Sequence, residues 1–177
     1  YNNENTRIPK VIQMLKFWRL EEKDYSDHLP EFYYSSDEIA KGDEIIDSYF
    51  GKNKFASINL STTDIKRHTK EDRFYGGEKD KRLIEYLSTL DKDLEYVYWG
   101  DSIEGTKFEE YVNIKINLKD LDLPIRIQQY IRSKAIVNVG YVTSIFHNIP
   151  RYSKIVEVPL AVDIASNHFD NIKYLEE

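Results

Sequence analysis

The stretch AIVNVGYVTSIFHNIPRYSKIVEVPLAV, Ala135–Val162, decides the fold that the sequence predicts. Odd-numbered positions from Ala135 to Ile145 are nearly all apolar, whereas the even-numbered positions are mixed. This period of two is typical of a strand with one buried face. Pro150 and its polar neighbours interrupt the pattern, and a second alternating run extends from Val156 to Val162. The block therefore predicts two neighbouring antiparallel strands.

The patterns on either side of this block predict further helices and strands. Ser35 and Glu38 have the spacing of a capping box and predict the start of a helix that stops at Gly51. Pro124 is placed to open another helix, which continues to about Ser133. Apolar periodicity predicts the other helices over 9–22, 83–90 and 163–175, and strands over 55–60, 94–99 and 111–118.

The order of these elements indicates the fold class. Strands follow strands without regular alternation with helices, and the strict alternation of Tyr111–Leu118 is typical of a strand with one solvated face. We therefore expect an α+β fold in which an antiparallel-rich sheet of about five strands packs against helices on one face. The element order is similar to that of cone-shaped folds of the nuclear-transport-factor-2 type. That resemblance implies a pocket between the concave face of the sheet and the first helices.

Length and composition set limits on the class of protein. A chain of 177 residues predicts a single domain over 1–177, with residues 1–7 loosely ordered. Because the sequence starts at Tyr1, we expect the native N-terminus to be missing. The absence of cysteine excludes disulfides, thiolate metal sites and cysteine nucleophiles. No apolar run reaches the ~20 residues that span a bilayer. We expect a protein without membrane contact and a cytoplasmic location, with secretion left open.

No motif with catalytic or metal-binding spacing is present. The stretch Asp91–Glu95 begins like a calcium loop, but Tyr96 and Ser102 occupy the positions that require glycine and glutamate. The four histidines lack the spacing of a zinc site, and there is no phosphate-binding or nucleophile-elbow motif. The sequence therefore identifies no catalytic residue, and we expect neither a metal nor a cofactor.

Two weaker features also carry no assigned role. Gly76-Gly77 precedes a helix and is the nearest approach to an anion cradle, but acidic and basic residues around it largely cancel. Carboxylates surround a predicted hairpin, and some of them could approach one another. They are Asp101, Glu104, Glu109 and Glu110.

Charge is distributed unevenly along the chain, whose net charge is -6. Residues 1–50 hold eleven acidic and six basic residues, whereas the 34 residues from Leu123 to Val156 hold no Asp or Glu. Buried strands explain missing acids but do not explain the bases that remain. The candidate ligand-binding or anion-binding residues of this segment are Arg126, Arg132, Lys134, His147, Arg151, Tyr152 and Lys154.

Two functions are compatible with this layout. The first is a non-catalytic interaction module that docks a protein partner through an acidic helical face or a basic strand face. Asp43, Glu44 and Asp47 are the candidate partner-binding residues on the acidic face. The alternative is a pocket protein or enzyme that acts on a small anionic ligand such as a nucleotide or phosphoester. The acidic net charge disfavours general binding to nucleic acid.

Overall fold

The computed structural model describes residues 32–60, 78–104, 106–141, 153–158 and 172–174. In these residues the helices are α1 (Ser36–Tyr49), α2 (Glu78–Leu87) and α3 (Ile125–Ser133), and a 3₁₀ helix spans Leu118–Leu121. The strands are β1 (Phe55–Asn59), β2 (Glu95–Tyr98), β3 (Asn113–Asn117), β4 (Asn138–Tyr141), β5 (Ile155–Val158) and β6 (Ile172–Tyr174).

The strands form one sheet with the order β3-β2-β1-β4-β5-β6. Every neighbouring pair is parallel. From β1 the chain adds β2 and β3 on one side, then crosses to add β4, β5 and β6 on the other, so the direction of winding reverses between β1 and β4. The fold is therefore an α/β arrangement. The predicted α+β class, its antiparallel-rich sheet and its cone-shaped arrangement are wrong.

The block that decided the prediction contains β4 and β5, which are neighbours as predicted but run parallel. Asn138 pairs with Ile155, and Tyr141 pairs with Val158. The turn predicted over 147–153 lies almost wholly outside the described residues. Ile172–Tyr174, predicted as part of a final helix, is the edge strand β6.

The fold prediction relied on β3, the strand with the clearest alternation, and it was wrong for a physical reason. Asn113 and Lys115 in β3 are exposed and Ile116 is buried, so one face of this strand is solvated. However, β3 is the edge strand of the described sheet, in which it pairs with β2 alone. An edge strand of a parallel sheet can expose one face, as an antiparallel strand does. The alternation of apolar and polar residues in β3 therefore does not indicate the direction of the strand.

Helices cover both faces of the sheet, which corrects the prediction that they lie on one face. Leu83 of α2 packs in a cluster with Tyr96 of β2, whereas Ile131 of α3 packs in a second cluster with Val97 of β2. Successive side chains of a strand point to opposite faces. α2 therefore lies on one face, and α3, together with Ile45 of α1, lies on the other.

The predicted start of α1 is confirmed. The backbone amide of Glu38 donates to the Ser35 hydroxyl at 3.2 Å, and the Ser35 amide donates to the Glu38 carboxylate at 2.8 Å. This reciprocal pair satisfies two amides that a helix start otherwise leaves without partners. Within the described part of the chain, no helix combines the length and apolar character needed to cross a membrane.

Gly42 allows α1 and α3 to approach closely. A methyl group at this position would lie 2.3 Å from Cδ1 of Tyr130, far inside a normal contact. The Tyr130 hydroxyl in turn donates to Asp43 Oδ1 at 2.7 Å. Gly42 is therefore the position at which the Tyr130 ring of α3 packs against α1.

Candidate functional site

The carboxyl ends of parallel strands lie along one edge of the sheet. β1 ends at Asn59, β2 at Tyr98, β3 at Asn117 and β4 at Tyr141. In open α/β sheets, ligands bind outside this edge, close to the point where the winding reverses. A ligand site is therefore expected among the described residues that follow these four strands.

A cavity of about 670 Å³ lies between the segments that follow β2 and β3 and extends along β3 to Val112. Its volume falls within the range of about 300–1,000 Å³ that is usual for small-molecule sites. The wall combines apolar side chains with carboxylates, an amide, a hydroxyl and one ammonium group. The residues that line it are Tyr98, Gly100, Asp101, Ser102, Ile103, Glu104, Glu109, Val112, Ile114, Asn117, Lys119 and Asp120.

Asn117 fixes the geometry of this wall. Its side-chain amide donates to the Gly100 carbonyl at 2.8 Å, and its side-chain oxygen accepts from the Gly100 amide at 3.3 Å. The same oxygen accepts from the Lys119 amide at 3.2 Å and caps the 3₁₀ helix. One side chain at the end of β3 therefore holds both the segment after β2 and the segment after β3.

Asp101 and Lys119 form an ion pair across the two segments. Asp101 lies three residues after Tyr98, the last residue of β2. Glu104, Glu109 and Asp120 add three further carboxylates to the wall. Carboxylates therefore outnumber ammonium groups by four to one among the lining residues.

A buried polar contact lies beside the point where the winding reverses. The hydroxyl of Tyr141, at the end of β4, donates to the carboxylate of Asp80 in the first turn of α2. Both side chains are buried. Lys107 Nζ lies 3.9 Å from the other oxygen of Asp80, and the ring of Phe108 packs edge-on against Tyr141 with centroids 6.5 Å apart. The segment after β2 is thus attached to both α2 and β4.

Two of the candidate anion-binding residues bond to protein groups on separate elements. Arg126 Nε lies 2.5 Å from Glu38 Oε1, and this hydrogen bond raises the pKa of the guanidinium. Arg132 is buried, and its Nε donates to the Ser57 hydroxyl at 3.0 Å. Burial lowers the pKa of Arg132 to about 10. Arg126 therefore bridges α3 to α1, whereas Arg132 reaches from α3 to β1.

Lys134 and Lys154, the other two described candidates of the basic segment, are also dispersed. The Lys134 ammonium lies 4.8 Å from the centre of the Tyr130 ring. Lys154 is exposed and directly precedes β5, at the amino end of the strand. None of the four described bases lines the cavity at the carboxyl edge. His147, Arg151 and Tyr152 lie outside the described residues.

The candidate partner-binding acids are exposed on α1. Asp43 accepts the hydrogen bond from Tyr130, so its carboxylate faces α3. Glu44 pairs with Lys41 at 2.9 Å on the surface of the same helix. The structure thus keeps Asp43, Glu44 and Asp47 on one helix, and one of them also contributes to helix packing.

The sequence did not identify the cavity, although it drew attention to Asp101, Glu104 and Glu109. The sequence predicts that these residues, with Glu110, surround a hairpin between β2 and β3. The two strands are parallel, so the segment between them is a crossover connection and cannot be a hairpin. The available signal was Gly100-Asp101 directly after a buried strand, which in a parallel sheet marks the ligand-binding edge.

Comparison of the chain with protein-family models, curated proteins and solved structures gives no match. Among the described residues, no group of three or more His, Asp or Glu side chains is arranged to hold a metal ion. The candidate site therefore rests on its own geometry.

Proposed function

We propose that this protein binds a nucleoside-containing small molecule at the carboxyl edge of its sheet. The observation that carries the proposal is the cavity lined by the segments that follow β2 and β3 and by β3 itself, in a parallel sheet of order β3-β2-β1-β4-β5-β6. Sheets with this strand order commonly bind nucleotides at this edge, and an acidic residue near the second strand accepts a hydrogen bond from a ribose hydroxyl. Asp101, three residues after the last residue of β2, offers such a carboxylate to the cavity.

The wall offers matching chemistry for the two parts of a nucleoside. The ion pair with Lys119 holds the carboxylate of Asp101 in one orientation. This carboxylate is suited to accept hydrogen bonds from ribose hydroxyls. Ile103, Val112 and Ile114 supply apolar surface against which a base can pack. A mixed wall of this kind is typical of a site that binds an amphipathic small molecule.

This proposal develops the small-ligand alternative and relocates its site. Arg126 and Arg132 are already hydrogen-bonded to Glu38 and Ser57, so using them for a ligand requires breaking those contacts. The cavity residues require no such rearrangement. We therefore place the ligand at the ends of β2 and β3 and not on the basic segment.

Calorimetric titration with adenosine, guanosine, cytidine and uridine tests the proposal. We expect saturable binding of at least one nucleoside, and we expect Asp101→Asn to weaken it about tenfold or more, because a charged hydrogen bond contributes about 1.5–3 kcal/mol. Asp93→Asn is the matched control, since Asp93 is exposed and does not line the cavity. Absence of binding by all four nucleosides would contradict the proposal.

A second candidate is the docking of a protein partner through the acidic surface of α1. It is favoured by the exposure of Asp43, Glu44 and Asp47 on one helix, next to Tyr49, which is 37% exposed. The double variant Glu44→Lys with Asp47→Lys tests it without disturbing the Asp43–Tyr130 contact. Loss of cross-linked partner capture with unchanged unfolding is the expected result, and unchanged capture contradicts docking through this face.

A further inference from the structure

We infer that Asn117 is the positioning residue of this cavity and that it acts on a ligand through Asp101. This role rests on the proposed function and adds to it the residue that keeps the binding carboxylate in place. Asn117 is uncharged and lies outside the candidates that the sequence predicts. Its role follows from a β-bulge in β3, from its hydrogen bonds and from the exposure of the ion pair that it supports.

The first observation is the β-bulge in β3. Tyr96 of β2 pairs with Ile114, and the next residue of β2, Val97, pairs with Ile116. Lys115 is therefore an extra residue in β3. Ile114 packs against the cluster that contains Tyr96, whereas Ile116 packs in the cluster that contains Val97. Residues two apart in a regular strand share a face, so the bulge changes the face on which the later residues of β3 lie.

The bulge brings Asn117 to the cavity. In a regular strand, Asn117 would lie on the face opposite Ile114, because three positions separate them. Here Asn117 pairs with Tyr98, and Asn117, Ile114 and Tyr98 all line the cavity. Bulges are rare in parallel pairs of strands, and they are over-represented beside active sites, where they re-aim a side chain. We therefore assign the bulge the role of turning Asn117 towards this site.

The second observation is that the carboxamide of Asn117 has only one orientation that satisfies its partners. Its Oδ1 accepts from the Gly100 amide at 3.3 Å and from the Lys119 amide at 3.2 Å. Its Nδ2 donates to the Gly100 carbonyl at 2.8 Å. Two amides require an acceptor and the carbonyl requires a donor, and an ionised carboxylate of the same shape supplies acceptors alone. Asparagine is thus matched to both segments at once.

The third observation is the exposure of the ion pair that Asn117 supports. The side chains of Asp101 and Lys119 are 39% and 47% exposed. Ion pairs exposed to this extent are weak by themselves. Asp101 directly follows Gly100, and the amide of Lys119 bonds to the same carboxamide oxygen. Asn117 therefore anchors the backbone on both sides of the pair, and this anchoring keeps the Asp101 carboxylate in its place on the wall.

A double-mutant cycle, measured by calorimetric titration with the best-binding nucleoside, tests this role. Asn117→Asp retains acceptor oxygens for the two amides, but when ionised it has no hydrogen to donate to the Gly100 carbonyl. We expect Asn117→Asp to weaken binding about tenfold. With Asp101→Asn already present, we expect the same change to weaken binding less than about threefold, because the two residues act as a unit.

Asn113→Asp is the matched control, since it makes the same chemical change at an exposed position of β3 outside the cavity wall, and we expect it to leave the affinity unchanged. Urea unfolding of every variant identifies a temperature at which all of them are folded, and affinities are compared there. If Asn117→Asp does not fold, Asn117→Ser takes its place, because serine is neutral and adds no repulsion to the Gly100 carbonyl.

The outcomes distinguish this role from the proposed function. If Asn117→Asp lowers the free energy of unfolding but the folded variant binds the nucleoside as the wild type does, Asn117 is merely structural and the proposed function stands. An equal loss of affinity with and without Asp101→Asn also overturns action through Asp101. Absence of binding by the wild type overturns both. A loss in Asn117→Asp that largely disappears in the Asp101→Asn background supports both.

Discussion

The Tyr141 hydroxyl donates a hydrogen bond to the carboxylate of Asp80, and this contact joins β4 to the first turn of α2. α2 connects β1 to β2, whereas β4 begins the other half of the sheet. The contact therefore links the two halves at the edge where the winding reverses. It also fixes a carboxylate in the first turn of α2.

Replacement of Tyr141 by Phe tests the structural role of this contact. We expect the free energy of unfolding to fall by about 1–3 kcal/mol, because a buried carboxylate loses a hydrogen-bond donor. Urea unfolding of the variant measures the change. Tyr111→Phe serves as the control, since Tyr111 is 40% exposed and is expected to change stability by less than about 0.5 kcal/mol. Equal stability of Tyr141→Phe and the wild type argues against this role.

Gly42→Ala tests the close approach of α1 and α3. Alanine favours a helix by about 1 kcal/mol over glycine. The added methyl group, however, meets the Tyr130 ring, whose hydroxyl is held by Asp43 and so resists displacement. We expect a net loss of about 1–3 kcal/mol, as for other overpacked contacts. Thermal and urea unfolding measure it, with Ser48→Ala at an exposed position of α1 as the control. A stabilised Gly42→Ala contradicts the packing described.

The raised pKa of Tyr96 predicts that the free energy of unfolding falls at high pH. Burial, with a smaller contribution from Tyr86, raises the pKa of Tyr96 to about 12. Because the folded pKa exceeds the ordinary value, this residue contributes stability that is fully present below about pH 10 and is lost as the pH rises towards 12. Urea unfolding between pH 9 and pH 11 is expected to show a smaller decline for Tyr96→Phe than for the wild type. Parallel declines contradict the assignment.

The lowered pKa of Glu38 predicts that the free energy of unfolding falls in acid. Its hydrogen bond with Arg126 lowers the pKa of the carboxyl, so its contribution to stability is present above the ordinary pKa and is lost as the pH falls through the lowered value. We expect Glu38→Gln to be less stable than the wild type at neutral pH and the two proteins to converge as the pH falls through the lowered pKa of Glu38. A stability difference that is constant with pH indicates that Glu38 acts through its capping geometry alone.

Local features of the fold were predictable because they depend on neighbouring residues. The capping box at Ser35 and Glu38, and the burial of Ile127 and Ile131 on α3, follow directly from spacing. Strand direction does not follow from spacing, because it depends on which strands pair, and paired strands are distant in the sequence. Ser57 and Asn59 are buried in β1, so this central strand lacks the continuous apolar run that marks parallel sheets.

The candidate site was less predictable than the fold elements. Asp101, Asn117 and Lys119 converge only because β2 and β3 are parallel and end at the same edge. An antiparallel pairing places Asp101 in the turn of a hairpin, as the sequence predicts, and separates it from Asn117 and Lys119 at the far end of the second strand. The error in strand direction therefore also obscured the site.

The most direct test of nucleoside binding at this edge is a heteronuclear NMR titration of the protein, whose mass is 21.0 kDa. We expect the best-binding nucleoside to shift the backbone amide resonances of Gly100–Glu104 and Val112–Lys119 in a saturable manner, and Asp101→Asn to suppress the shifts. Resonances of α1, remote in sequence from this wall, serve as the internal reference. Saturable shifts confined to α1, or no shifts at all, would contradict binding in this cavity.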